Sequence, residues 1–229
     1  DAKALLVSVR GFHALSLDDG QTWPSKCPID LPGGTIFNDG KVDRHGALWV
    51  GSSDAAEAAP LGRLWRIAKG RVTEVAAGFT VSNGPAFAPD GSAAYFADTF
   101  SRRLLRFALD ASGNVVSQGA FATIPPDAGF PDGMTTDSAG TLHVGHWDGA
   151  RISRWSPAGA ALETIPIPAR NVTSLAFGGG DLRTVAITTA ALLSEPTGGS
   201  DNAWDGDLLS CKSTIPGLVE PMLSPDWAG

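Results

Sequence analysis

The stretch "FPDGMTTDSAGTLHVGHWDGARISRWSPAG" (Phe130–Gly159) decides the fold. It opens with an Asp-Gly pair and continues through short runs in which apolar and small residues alternate. Tight-turn sequences such as "SAG" separate these runs. Alternation with a period of two, interrupted by turn residues, is typical of short antiparallel β-strands. The stretch therefore predicts a strand, a tight turn and two further strands.

The same unit occurs three more times, as "FNDGKVDRHGALWVGSSD", "SNGPAFAPDGSAAYFADTF" and "VTSLAFGGGDLRTVAITTA". We call the turn residue that precedes the first run of each unit its anchor. The anchors lie 45, 49 and 41 residues apart: Asn38, Asn83, Asp132 and Thr173. Another turn residue follows eight positions after each anchor: Gly46, Gly91, Gly140 and Asp181. A repeat of this length indicates a modular architecture.

Further runs complete each unit. Third strands are predicted in "RLWRI", "RLLRF" and "RISRW", and fourth strands in "RVTEVAA", "GAFATI" and "ALETIPI". Strong helix signals are missing, and "DAAEAAPLG" is predicted to be a loop with at most one helical turn because it contains Pro60. Four antiparallel strands every ~45 residues describe a β-propeller blade. A two-sheet sandwich is the alternative, but the constant eight-residue offset favours the propeller.

The residues at the two ends of the chain lie outside the four repeated units. Residues 1–30 are predicted to form the outer strands of one blade, and the tail "GDLLSCKSTIPGLVEPML" the outer strands of the last unit. We count about four and a half blades in this way. We therefore expect a single six-bladed propeller domain over residues 1–229 that lacks its N-terminal blade and a half. A five-bladed ring with unusual closure is the alternative.

Composition narrows the function classes. The net charge of −7 argues against nucleic acid or an anionic membrane surface as a partner. No apolar run approaches the ~20 residues that cross a bilayer. We expect a cytoplasmic protein, monomeric or weakly homo-oligomeric. Cys27 and Cys211 are expected to be buried thiols, with a disulfide as the alternative.

Three anchors suggest a metal site. In a propeller the innermost strands begin at one face of the central channel, so anchors at one offset converge on the axis. Asn38, Asn83 and Asp132 would thus aim amide and carboxylate oxygens at one point, which suits a hard cation, Ca²⁺ before Mg²⁺. A single Asn or Asp is explained better by turn geometry than by a metal site. Three such residues at the same offset of successive units favour a cation site over turn geometry alone.

The second strand of each unit runs back to the same face. The end of this strand should lie at the rim of the pocket, where its residues could contact substrate. Loop capping or packing at the rim is the alternative role for each of them. The candidates are Asp54, Asp98, His146 and Trp147. His143 and His146 point to opposite faces of a strand, and His13 and His45 lie elsewhere. Zinc held by histidines is therefore not expected.

The segments "FNDGKVD", "SNGPAFAPDG", "FPDGM" and "TSLAFGGGDLRTVAITTA" together resemble the gluconolactonase, regucalcin (senescence marker protein) and luciferin-regenerating enzyme family. The resemblance runs from about Lys3 to the C-terminus in the family's order and spacing. It implies a six-bladed propeller with one divalent cation in the channel, usually Ca²⁺ and sometimes Zn²⁺. It also implies hydrolysis of sugar-acid lactones and related esters.

The resemblance assigns roles to individual residues. It implies that Asn83 and Asp132 ligate the metal directly, that Asn38 lies near the metal and the substrate, and that Asp132 also accepts the proton. The family's third direct ligand is a Glu in an "EGP" motif, which this sequence lacks. Many sugar lactonases have Arg where this chain has Ile36, which makes a less polar lactone or another ester plausible. Asp54 matches an acidic rim position of the family.

Two hypotheses from different classes follow. The first is a metal-dependent lactonase in which the cation polarises the carbonyl and Asp132 assists the attacking water. The alternative is a non-catalytic Ca²⁺-binding propeller that serves as a scaffold or sensor. A strictosidine-synthase-like or phosphotriesterase-like propeller is a third option, disfavoured because the "NDGK…SNG…PDGM" series is present.

Overall fold

The computed structural model describes residues 3–191 and 203–227, which form five successive antiparallel sheets of the propeller-blade type. Within these ranges the only helix is one 3-10 turn, Pro126–Ala128. No helix in the described ranges is long and apolar enough to cross a bilayer. The prediction of an all-β fold built from propeller blades is confirmed.

The strands follow one another along the chain, and each pairs with the next inside its sheet. The first sheet contains β1 (Lys3–Ser8), β2 (Gly11–Ser16) and β3 (Thr22–Ser25). The second contains β4 (Thr35–Val42), β5 (Leu48–Asp54), β6 (Gly62–Ala68) and β7 (Arg71–Phe79). The third contains β8 (Ser82–Phe87), β9 (Ala93–Asp98), β10 (Arg103–Leu109) and β11 (Val115–Thr123). The fourth contains β12 (Phe130–Thr136), β13 (Leu142–Trp147), β14 (Arg151–Trp155) and β15 (Ile165–Pro166). The fifth contains β16 (Val172–Gly178), β17 (Thr184–Thr189) and β18 (Leu208–Lys212).

Three hairpins share one turn geometry. Gly46, Gly91 and Gly140 have φ of 80°, 73° and 82°, and each donates its amide hydrogen to the carbonyl oxygen three residues earlier. Glycine adopts this left-handed conformation without the steric cost that a Cβ imposes. The constant offset between anchor and turn glycine in these three sheets therefore has a structural basis.

Several boundaries differ from those predicted. Residues 1–30 form three strands instead of an outer pair, and the tail contributes β18 alone among the described residues. "ALETIPI" forms only the two-residue strand β15 and one isolated bridge from Ala161 to Trp155, because Pro166 removes a ladder donor. "DAAEAAPLG" enters β6 only at its last residue and contains no helical turn. Cys27 and Cys211 are free thiols as predicted, but half-buried where full burial was expected.

The chain divides into two compact units, residues 1–82 with 221–229 and residues 83–220. In the described part of the first, one apolar core is built around Phe12, Phe37, Val50, Trp65 and Ile67. The second unit has one core centred on the third and fourth sheets and another on the fifth. Strands β5, β8 and β9 are buried along their whole length, whereas β7 and β11 are largely exposed.

Candidate functional site

The anchors lie inside strands, at irregular positions, and not in the preceding turns where they were predicted. Strand pairing shifts register between Phe37 and Gly40, between Pro131 and Met134, and between Val172 and Ser174. Asn38, Asp132 and Thr173 thus occupy β-bulges of their strands. A bulge re-aims the side chain that it carries. Asn83 is followed by Gly84, whose φ is 92°.

A chain of hydrogen bonds ties Asn83 to the strand of Asp132. Asn83 is 7% exposed, and its Nδ2 donates to Thr99 Oγ1 across 2.9 Å. Thr99 Oγ1 donates in turn to the carbonyl oxygen of Pro131 across 3.0 Å. Pro131 immediately precedes Asp132, so the network runs from one predicted ligand to the residue before another. The bond to Thr99 turns the amide nitrogen of Asn83 toward the protein and its oxygen to the opposite side.

Thr99 was missed by the sequence prediction, although it follows directly after the predicted rim residue Asp98. The only signal was a hydroxyl residue at the end of "YFADT". Its oxygen both accepts and donates, which lets it connect an amide on one strand with a carbonyl on another.

Asn38 belongs to the first unit and is exposed. Its Nδ2 donates to the carbonyl oxygen of Ser82 across 2.8 Å, an orientation that again turns the amide oxygen away from this contact. Asn38 and Asp39 line a groove of about 920 Å³ whose other walls include residues of β1 and β2, the end of β4 from Gly40 to Val42, residues 221–225 and Trp227.

The two predicted rim carboxylates have protein partners. Asp54 is 5% exposed, and its oxygens accept amide hydrogens from Ala56, Ala58 and Ala59. The bonds from Ala58 and Ala59 hold the pKa of Asp54 below its usual value. Asp98 accepts a hydrogen bond from Arg103 across 2.8 Å. Asp54 therefore stays ionised and fixes the loop that follows it.

His146 is buried, with 1% of its surface exposed, and both ring nitrogens have partners. Nδ1 lies 2.7 Å from the carbonyl oxygen of Ala128, and Nε2 lies 2.7 Å from Ser153 Oγ. A carbonyl only accepts, so Nδ1 carries the proton and Nε2 accepts from the serine hydroxyl. Burial lowers the pKa of His146 to about 4, and the charge of Arg151 acts in the same direction. The neighbouring Trp147 is half-buried, and it pairs with Phe130 across the sheet.

A second feature missed by the sequence prediction is a buried aspartate that recurs at one position of two sheets. Asp43 Oδ2 accepts from Trp49 Nε1 across 2.8 Å, and Asp137 Oδ2 lies 3.0 Å from His143 Nε2. The other oxygen of each aspartate accepts two amide hydrogens of the hairpin turn. The shared pattern D-x-x-G-x-L-[WH] was the available signal. These pairs fasten the hairpins and account for the burial of His143.

The donor set suits a hard cation. Asn83, which is in the network, carries an amide oxygen, and Asp132, which follows Pro131 in the chain, carries a carboxylate. Oxygen donors of this kind are preferred by Ca²⁺. Within the described ranges no group of three His, Cys, Asp or Glu side chains is placed to hold a metal. A cation here would therefore depend on amide oxygens.

The sequence pattern described as "SMP-30/Gluconolactonase/LRE-like region" matches residues 1–191. A 6-deoxy-6-sulfogluconolactonase of Pseudomonas putida is 36% identical over 190 residues, 82% of this chain and 65% of that protein. Pentonolactonase XacC of Haloferax volcanii is 35% identical over 191 residues, 82% of this chain and 64% of that protein. The chain thus spans just under two thirds of the length of these relatives.

The fold also matches a solved structure. A regucalcin from Agrobacterium tumefaciens, described as a calcium-binding protein, superposes with a TM-score of 0.89 at 28% identity. The match covers 98% of this chain and 77% of that protein. Sequence and structure comparisons point to one group of proteins.

Proposed function

Because this chain belongs to the SMP-30/gluconolactonase/LRE-like family, we propose that it is a metal-dependent hydrolase that opens a lactone ring. The observation that carries the proposal is the link from Asn83 through Thr99 to Pro131, next to Asp132. The relatives named as lactonases of sulfogluconate and pentonate lactones support the reaction class.

Asp132 is the proposed proton acceptor and a ligand of the cation. Asp132 lies half-buried in a bulge of β12. As a carboxylate it takes a proton from the attacking water as the new C–O bond forms at the carbonyl carbon, and it gives this proton to the ring oxygen when the ring C–O bond breaks. Asn83 holds its amide oxygen in a fixed direction as a neutral ligand. The chemistry that a bound divalent cation, Ca²⁺ before Zn²⁺, supplies is polarisation of the lactone carbonyl.

Asn38 and Asp54 are the proposed substrate contacts, and Asn38 is also a proposed ligand. Ile36 lies two residues before Asn38 in β4. An apolar Ile36 offers no hydrogen bond to a sugar hydroxyl, so it favours a lactone with fewer hydroxyl groups. A contact of His146 with substrate requires its ring to leave two hydrogen bonds, and we therefore assign it a supporting role.

We place these residues in a single six-bladed propeller domain of a cytoplasmic protein, monomeric or weakly homo-oligomeric. Two of the five sheets have three described strands where the others have four. Completing both and adding one four-stranded blade gives six. The substrate is a small molecule, and the acidic net charge of −7 disfavours nucleic acid and anionic membranes.

The test is hydrolysis of a lactone panel by the full-length protein after chelation and dialysis, followed by return of Ca²⁺, Zn²⁺ or Mg²⁺. We expect acid release from at least one lactone, lost on chelation and restored by one of these cations. Activity that survives complete chelation contradicts the role of the metal, and no activity on any lactone contradicts the reaction class.

The similarity to a regucalcin described as calcium-binding favours one alternative, a non-catalytic Ca²⁺-binding propeller. The two proposals differ in one measurement. A binding protein takes up Ca²⁺ in calorimetry but releases no acid from any lactone of the panel at any added metal concentration.

A further inference from the structure

The turn between β9 and β10 carries a cation, Arg102, that contacts the start of β12. Arg102 adopts a φ of 55°, which is uncommon for a residue with a Cβ. Its amide donates to the carbonyl oxygen of Thr99 across 3.0 Å, and its own carbonyl accepts from the amide of Ile124 across 2.8 Å. The backbone of Arg102 is thus held on both sides.

The side chain of Arg102 is also fixed. Its Nε donates to the carbonyl oxygen of Gly129 across 3.2 Å, and its guanidinium carbon lies 3.9 Å from the centre of the Phe130 ring. Phe100 meets Phe130 edge to face at 5.7 Å. Stacking on an aromatic face holds a guanidinium in one plane while its terminal nitrogens remain able to donate.

No acid neutralises this charge among the residues that the structure describes. Within that part of the chain, Arg102 has no ion pair, and its two terminal nitrogens have no acceptor. The adjacent Arg103 differs, because it is paired with Asp98. The half-buried Arg102 is therefore a pre-oriented cation in a chain of net charge −7.

The cation lies close to the proposed catalytic carboxylate along β12. Arg102 donates a hydrogen bond to the carbonyl oxygen of Gly129 and stacks on Phe130. Thr99 of the same turn donates to the carbonyl oxygen of Pro131. Phe130 and Asp132 are half-buried, and only the buried Pro131 separates them in β12. The guanidinium is stacked on a ring two residues from Asp132.

We propose that Arg102 is a specificity residue that binds an anionic substituent of the lactone, a carboxylate, sulfonate or phosphate group that does not react. This inference rests on the proposed function. Two parallel N–H groups of a guanidinium match two oxygens of such an anion, which a neutral hydroxyl cannot do. The substrate class is then a lactone that has few hydroxyl groups and carries a negative charge away from the ring carbonyl.

The test compares lactones that share one ring and differ in one substituent, carboxylate against carboxamide, with sulfonate and phosphate analogues as further arms. For the wild-type full-length protein we expect a kcat/KM ratio of anionic to neutral substrate well above one. Arg102→Gln should lower this ratio by about tenfold or more, mainly through KM, because a charge-assisted hydrogen bond is lost. Arg102→Lys keeps the charge but lacks the two parallel N–H groups of the guanidinium, so it should restore part of the kcat/KM ratio.

Arg154→Gln is the matched control. Arg154 also donates its Nε to one backbone carbonyl, that of Glu163 at 3.0 Å, but it lies on β14 and is exposed at this contact. The ratio should not change in this variant. Thermal unfolding of each variant separates loss of recognition from loss of fold, and Arg102→Lys provides the measurement if Arg102→Gln does not fold.

The outcomes distinguish the two proposals. Hydrolysis of lactones without preference for the anionic one, or a ratio within twofold of wild type in Arg102→Gln, overturns the role of Arg102 and leaves the lactonase proposal intact. Failure to hydrolyse any lactone overturns the lactonase proposal. In that case calorimetry compares the affinities of the protein for the ring-opened diacid and for the ring-opened monoacid. Equal affinities contradict the proposed role of Arg102.

Discussion

Asn83 and Thr99 form a buried hydrogen bond of 2.9 Å, in which the amide nitrogen donates and the hydroxyl oxygen accepts. The same hydroxyl donates to Pro131, the residue before Asp132. A single threonine thus sets the direction of one proposed ligand and fastens the strand of another. The proposed metal site depends on a residue that is itself no ligand.

The first prediction concerns Thr99. Thr99→Val removes the hydroxyl and leaves a buried amide donor and a carbonyl without this partner, a cost of about 1–3 kcal/mol. We expect Ca²⁺ affinity to fall by about tenfold or more, measured by isothermal titration calorimetry, and to return in Thr99→Ser.

Thr136→Val is the control for this prediction. Thr136 is also buried, and its Oγ1 donates to the carbonyl oxygen of Phe87 across 2.6 Å, away from the anchors. Its loss should lower stability but leave Ca²⁺ affinity unchanged. Equal affinities in Thr99→Val and wild type would show that Thr99 does not orient the ligand.

The second prediction concerns pH. The pKa of His146 is lowered from 6.5 to about 4 because the ring is buried. Below pH 6.5 His146 binds a proton in the unfolded chain, whereas in the folded protein it stays neutral down to about pH 4. The stability that His146 contributes is therefore complete above pH 6.5 and is lost as the pH falls toward 4, by at most about 1.4 kcal/mol per unit.

Urea unfolding at pH 7 and pH 5 measures this effect. The wild type should lose about 1–2 kcal/mol more than His146→Gln over this interval. His45→Gln, which changes an exposed histidine, should behave like the wild type. Parallel losses in the wild type and His146→Gln would mean that the ring takes up its proton in the folded protein as readily as in the unfolded chain.

The third prediction concerns the recurring aspartate. Asp43 is 0% exposed, and its two oxygens accept from two turn amides, from Trp49 Nε1 and from Arg66 Nε at 3.0 Å. Asp43→Ala leaves a guanidinium and an indole N–H without this acceptor, and should lower the free energy of unfolding by about 3–5 kcal/mol. Asp90→Ala, in the exposed turn of the third sheet, should cost less than about 1 kcal/mol. Similar losses in the two variants, measured by urea denaturation, contradict the role of the buried pair.

Much of the fold follows from local rules that the sequence displays. Alternating runs and turn glycines such as Gly46, Gly91 and Gly140 specify hairpins, and their constant spacing specifies the blade. The chain ends were predicted less well. β3 consists of "TWPS", which contains a proline and shows little alternation, so its pairing with β2 depends on the neighbouring strand.

For the proposed site, the sequence indicates which residue types are candidates but not how their side chains are placed. Asn83 and Asp132 were identified from their offset, but the β-bulges arise from register between strands and leave no fixed sequence signal. His146 was predicted at a rim because it ends a strand. Its burial depends on Ala128 and Ser153, which are brought to it by tertiary packing. Contacts of this kind cannot be deduced from sequence spacing.

The most direct test of the central claim is Asp132→Asn in the full-length protein, assayed with the lactone that the wild type opens and with Ca²⁺ titrated by calorimetry. The carboxamide keeps the shape of the side chain but neither carries the charge nor accepts a proton. Asp90→Asn, an aspartate of an exposed turn, is the control and should retain wild-type activity. We predict that hydrolysis falls by at least about 100-fold and that Ca²⁺ binds more weakly. Hydrolysis within a few-fold of wild type, with unchanged Ca²⁺ affinity, would contradict the account.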